Sequence, residues 1–311
     1  MSDPSLPFDR VCVTGGSGLL GRFVVRELAR DAEVLVMDIA PPVDEGFAFA
    51  NVDVLDIDAV TAALKGQQAV VHLAALDDGV ADNEEDYIKV NIQGTWNVLQ
   101  AAEELGLERA VICSSTAAVG LSSDNPPAYL PVDVAHPAVP TGAYGLSKRT
   151  IELLAQGIVK RGKLEVVCLR PCLVAQADIV YSMAGIVAET DGLEPPPPAT
   201  GAAWRELREG VSPTRAFVSP SDVARAFRAA LAAPGLRYGV YFVTSSDTCT
   251  RLPTVEAVER GCGVVPDLKH AATYANDPRA SAYDIASTRE ALGWEPNDTW
   301  EDYLAQVIQA G

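Results

Sequence analysis

Tyr144 and Lys148 stand four residues apart in Gly142-Ala143-Tyr144-Gly145-Leu146-Ser147-Lys148, a spacing that puts both on one face of a helix. A free phenol has a pKa near ~10 and is a poor base at neutral pH. A neighbouring ammonium favours the phenolate, so the pair is equipped to move a proton to or from an alcohol or carbonyl. Three hydroxyls in a row, Ser114, Ser115 and Thr116, follow an apolar run at 110–113 and could orient the reacting oxygen. Alone, a Y-x-x-x-K spacing recurs by accident on helices. Its weight comes from a glycine loop upstream.

That loop, Thr14-Gly15-Gly16-Ser17-Gly18-Leu19-Leu20-Gly21, satisfies G-x-G-x-x-G through Gly16, Gly18 and Gly21, and G-x-x-G-x-x-G through Gly15, Gly18 and Gly21. It follows an apolar strand pattern and opens an amphipathic helix, where glycines let backbone approach a pyrophosphate at the positive helix end. Gly15, Ser17, Gly18, Leu19, Leu20 and Gly21 are therefore cofactor-lining candidates. A second apolar run, 34–37, ends at Asp38, with Ile39 after it. An acid there accepts hydrogen bonds from ribose hydroxyls and repels a 2′-phosphate, so the pattern predicts NAD in preference to NADP.

Positioning these residues takes a sheet. Strand-like runs at 11–13, 34–37, 69–73, 110–113 and 166–169 lack polar alternation, as strands covered on both faces do. They alternate with helical patterns at 19–30, 57–64, 84–105 and 143–161. The expectation is an α/β fold, a Rossmann-type doubly wound parallel sheet with a smaller, loop-rich C-terminal substrate-binding region. The NAD-binding core spans 1–174, and residues 175–311 form the substrate-binding region, interleaved with the core's last strands and helices. Residues 176–213, with Pro195 to Pro198, read as a loop-rich linker or a substrate lid.

Composition excludes several classes. With 24 basic and 42 acidic side chains the net charge is −18, which disfavours nucleic acid as a partner. No stretch reaches the ~20 apolar residues of a membrane helix. The first ten residues lack the basic start and apolar run of a signal peptide, and six cysteines without a C-x-x-C pair read as reduced core thiols. No metal is expected, and the location expected is cytoplasmic.

Taken in order, Thr14 to Gly21, Asp53-Val54, His72-Leu73-Ala74-Ala75, Asn91-Ile92-Gln93-Gly94-Thr95, Ser114 to Gly120, Tyr144 to Lys148 and Leu169-Arg170-Pro171 resemble the extended short-chain dehydrogenases/reductases of the NAD-dependent epimerase/dehydratase family. The resemblance implies that Asp53 bonds the adenine amino group with Val54 beside it. It implies that Leu73, Ala74 and Ala75 line the cofactor, with Ser114 and Pro171 also bordering it. Asn91 would kink its helix and support the proton network, and Lys148 would hold the nicotinamide ribose. Thr116 matches the hydroxyl that binds the reacting C–O group in similar epimerases, and Ser115 the one used in some sugar-acid dehydrogenases. His72 reads as structural. Val119 where a tyrosine is usual, and Pro171-Cys172-Leu173 where an asparagine is usual, count against a nucleotide sugar.

Three activities remain open. The first is NAD-dependent hydride transfer at a secondary alcohol or carbonyl of a sugar, sugar acid or polyol. The second is epimerisation or dehydration of a sugar nucleotide with NAD recycled within the turnover, and the third is a non-catalytic dinucleotide sensor. Arg215 is expected to grip an acidic or phosphorylated substrate, with Arg205 and Arg208 nearby. Ile92, Trp96 and Leu99 recur at helical spacing, and the resemblance implies a homodimer formed by helices 84–105 and 143–161.

Overall fold

The computed structural model describes residues 5–192 and 212–310. Among them, seven parallel strands build the main sheet: β1 (Arg10–Thr14), β2 (Glu33–Asp38), β3 (Ala48–Asn51), β4 (Ala69–His72), β5 (Arg109–Cys113), β6 (Glu165–Pro171) and β7 (Tyr238–Val243). Their order is β7-β6-β5-β4-β1-β2-β3, so the chain reverses direction across the sheet between β1 and β4. All four residues of β4 are buried, which explains a run without polar alternation. In such a sheet, ligands bind outside the carboxyl ends at the reversal point.

Helices α1 (Gly21–Leu28), α2 (Ile57–Leu64), α3 (Gly94–Leu105), α4 (Ala143–Arg161), α5 (Val180–Asp191) and α6 (Pro220–Ala232) complete the crossovers and the cover. Local chemistry sets their ends. Asp56 caps α2 by accepting from Ala59 N, Ser219 caps α6 with Pro220 behind it, and α3 stops at Gly106 in the left-handed region. One apolar core packs α1 and α6 on one face of the sheet, and a second packs α2, α3 and α4 on the other. A third, smaller cluster consists of residues beyond 174, among them Met183, Phe217, Trp300 and Tyr303.

Three expectations needed correction. The segment 84–105 is a single turn at Glu84–Asp86, a π-helix at Tyr87–Gln93 and then α3, rather than one α-helix. Part of the expected loop region is helical, as α5. The edge strand β3 was not anticipated, since it is short and mostly exposed.

Candidate active site

The glycine loop leaves β1 at the reversal point. Gly15 has φ +67°, and a Cβ there would lie 2.6 Å from Ala74 N, so the loop runs against the exit of β4. A Cβ on Gly21 would lie 2.2 Å from the Gly15 carbonyl, so the first turn of α1 presses into the loop. Asp38, at the end of β2, accepts from Ser17 N at 3.0 Å and from Ala40 N at 3.3 Å. Ser17 Oγ donates to the Ala40 carbonyl at 2.6 Å. Leu19, Ile39 and Leu55 are large apolar side chains left exposed around these strand ends. Asp53 is exposed, its carboxylate accepting from Leu55 N, and Val54 is buried against Gly94. A close backbone cradle, a helix amino terminus, an acid at the second strand end and an apolar rim fit a dinucleotide.

Beside the cradle, His72 ties the elements together. Its Nδ1 meets Thr14 Oγ1 at 2.6 Å and its Nε2 meets Thr95 Oγ1 at 2.9 Å, joining β1, β4 and α3. Burial, and then the Lys148 charge, push its pKa down to about 3, so the ring is neutral. This is the strut expected of it. Asn91, in the π-helix, clamps the chain just after Leu73, Ala74 and Ala75: it accepts from Leu76 N at 2.8 Å and donates to the Leu76 carbonyl at 3.0 Å. Its amide also reaches Ser147 Oγ on α4 at 3.0 Å.

Tyr144 and Lys148 stand together on α4. Lys148 Nζ lies 5.5 Å from the Tyr144 ring centroid and donates to the Cys113 carbonyl at 2.9 Å, at the exit of β5. Tyr87 packs edge-on against Tyr144 at 5.8 Å and donates to the Asp77 carbonyl at 3.1 Å. Gly145 brings the turn at Thr116–Ala118 close, since a Cβ there would lie 2.6 Å from the Ala117 carbonyl. Ser115 Oγ accepts from Ala117 N at 3.1 Å and is near enough to the Tyr144 phenol to lower its pKa, whereas Thr116, after Thr214, acts on Tyr283. Of the two candidate hydroxyls, Ser115 is the one that acts on Tyr144.

Other expectations are revised. The phenol is held well above its ordinary pKa, first by burial and then by Asp77 and the Cys113 thiol, against the lowering effect of Ser115. The ammonium therefore does not leave Tyr144 ionised. The Ser114 hydroxyl is buried and donates to Glu152 at 2.6 Å. Pro171 ends β6 as a buried residue. Arg215, with φ 51°, is buried, and its guanidinium pairs with the buried Asp191 at 2.9 Å. That placement corrects the expectation of an arginine open to substrate, while Arg205 and Arg208 lie outside the described residues. Sequence reading missed Tyr87, Tyr283 and Glu152; only Glu152 had a signal, standing four residues beyond Lys148 on the same helix face. Among the described residues, no group of three or more His, Cys, Asp or Glu could hold a metal, and no helix is long and apolar enough to cross a membrane.

The model of the NAD dependent epimerase/dehydratase family matches residues 11–243. An L-arabinose 1-dehydrogenase (NAD(P)(+)) of Haloferax volcanii is 36% identical over 179 residues, 55% of this chain and 69% of that protein. A uronate dehydrogenase of Pseudomonas syringae pv. tomato is 29% identical over 168 residues, 53% of this chain and 59% of that protein. A solved structure of MoeE5 in complex with UDP-glucuronic acid and NAD superposes with a TM-score of 0.69 at 24% identity, covering 96% of this chain and 98% of that one. With a matching glycine cradle, sheet order and Tyr144–Lys148 pair already in place, the chain belongs to the NAD dependent epimerase/dehydratase family and is an NAD-dependent enzyme of the short-chain dehydrogenase/reductase type.

Proposed function

We propose that the protein oxidises a secondary carbinol of a free sugar or related polyol, passing hydride to NAD and releasing NADH. The carrying observation is the junction of Ser115, Tyr144 and Lys148 at the exit of β5, beside the glycine cradle. Bound NAD would supply the hydride acceptor, held by Gly15, Ser17, Gly18, Gly21, Asp38, Asp53 and the 73–75 backbone. Ser115 orients the carbinol oxygen, and Tyr144, once it has lost its own proton to solvent, takes the carbinol proton as phenolate. Lys148 fixes the phenol's surroundings through the Cys113 carbonyl, with its charge directed at the nicotinamide ribose. Asn91 and Ser147 brace the first turn of α4, because Ser147 Oγ donates to the Tyr144 carbonyl at 2.7 Å.

Asp38 favours NAD over NADP, since its carboxylate stands where a 2′-phosphate would meet like charge. The sugar-dehydrogenase relatives support a sugar substrate. The Arg215–Asp191 pair, and the Asp77 charge bearing on Tyr144, favour an uncharged sugar over a sugar acid. Six free cysteines fit a cytoplasmic setting. The exposed apolar residues Ile88, Leu146 and Leu153 support a homodimer through the π-helix and α4.

The test is a panel of neutral aldoses, polyols, uronates and sugar nucleotides, each with NAD and with NADP, followed by nicotinamide absorbance. Steady NADH formation with a neutral sugar, absent in Tyr144→Phe, is expected. Turnover confined to sugar nucleotides would overturn the reading.

A further inference from the structure

Glu152 has no exposed surface, although carboxylates rarely leave water. It accepts from Ser114 Oγ at 2.6 Å, from Arg170 Nε at 2.7 Å and Nη2 at 2.8 Å, and from Arg149 Nη1 at 2.9 Å. Burial works to raise its pKa, but Arg170, Ser114 and Arg149 outweigh it and keep the group ionised. Arg170 in turn stacks over Phe242 of β7 at 5.3 Å. One carboxylate thus joins the exits of β5 and β6 to α4. A buried ion pair is a poor way to gain stability, since well-packed apolar residues do as well or better. Its position explains more than its energy does.

Tyr144, Lys148 and Glu152 follow at intervals of four along one face of α4. The second reaches the Cys113 carbonyl and the third the Ser114 hydroxyl, so successive helical turns grip successive residues of the β5 exit. The next residue is Ser115, which leads into the 116–118 turn that lies against Gly145 beside Tyr144, and whose hydroxyl lowers the phenol's pKa. We propose that Glu152 is a positioning residue: by holding Ser114 against Arg170 it fixes the Ser115 hydroxyl in register with the Tyr144 phenol. The inference rests on the Ser115–Tyr144 reading of the active site. It predicts that the Glu152–Ser114 bond contributes to the rate of the chemical step rather than to cofactor affinity.

The discriminating variant is Ser114→Ala, which removes one hydroxyl and leaves the Glu152–Arg170 pair whole. With the neutral sugar that gives the highest rate in the panel, kcat should fall ~10- to 100-fold, as small misplacements of reacting groups do. KM for the sugar and Kd for NAD should stay within about twofold, and Ser114→Thr should restore most of the loss. Amide hydrogen exchange should quicken at residues 114–118 of Ser114→Ala and nowhere else in the sheet. Glu152→Gln should reproduce the kcat loss; if it fails to fold, the Ser114 variants still decide. A Ser114→Ala enzyme with wild-type kcat, or one that loses kcat and NAD affinity in parallel, overturns the proposal. A Tyr144→Phe enzyme that keeps its turnover would instead overturn the reading of the site itself.

Discussion

Ser115 and Thr116 are adjacent in sequence, yet they serve different neighbours. Ser115 is in extended backbone at the start of a short 3-10 turn and Thr116 is already inside it, so their side chains diverge. Spacing made Tyr144 and Lys148 legible; the choice between two neighbouring hydroxyls depends on backbone angles that no spacing encodes. Ser115→Ala should therefore cost more turnover than Thr116→Ala, and Tyr144→Phe should lose ~10²–10⁴-fold with NAD affinity nearly intact. Steady-state kinetics with NAD titrations will check both. Because burial and Asp77 hold the Tyr144 proton tightly, the base form grows as pH rises. Sugar oxidation should accelerate with pH into the alkaline range, whereas the reverse reduction should slow. A flat pH profile of kcat/KM would contradict this. His72 carries an independent prediction about stability. Its folded pKa of about 3 lies below the unfolded value near ~6.5, so the unfolded chain binds the proton first. Stability is then lost as pH falls below the unfolded value, by about 2 kcal/mol between neutrality and pH ~5. Denaturant melts of wild type and His72→Asn across that window should show this component only in the wild type.

At the scale of elements, glycines decide how closely the working parts approach. Gly21→Ala would drive a Cβ into the Gly15 carbonyl, so NAD affinity should fall by at least ~10-fold, measured by calorimetry, while far-ultraviolet circular dichroism stays unchanged. The five strand-like runs of the sequence match β1, β2, β4, β5 and β6 within a residue or two, because strands buried on both faces leave continuous apolar runs. The pattern missed β3, a four-residue edge strand with little burial to mark it. It also missed α5, where Val180, Met183, Ala184 and Val187 form one buried stripe but Ile186 and Ala188 add apolar residues beside it and blur the period. The π-helix was equally hidden. Its i to i+5 bonding leaves no compositional trace, although it is where Asn91 reaches both Leu76 and Ser147.

For the whole molecule, the expected apolar trio turned out to face largely inward. Leu99 is fully buried, and Ile92 and Trp96 pack on the same core, with Arg161 stacked on Trp96. The exposed large apolar residues of these segments are Ile88 (48%), Leu105 (37%), Leu146 (44%) and Leu153 (54%), the last two seven apart on α4. Wild type should sediment as a dimer and Leu153→Glu as a monomer; a monomeric wild type at micromolar concentration would refute the interface. Net oxidation releases NADH, whereas in epimerisation the nicotinamide is reduced and reoxidised in place. The direct measurement uses a neutral sugar deuterated at the reacting carbinol carbon, with mass spectrometry of both products. Deuterated NADH should be released in one-to-one ratio with oxidised sugar, and neither product should form with Tyr144→Phe. Deuterium returned to an epimerised sugar, with no NADH released, would contradict net oxidation.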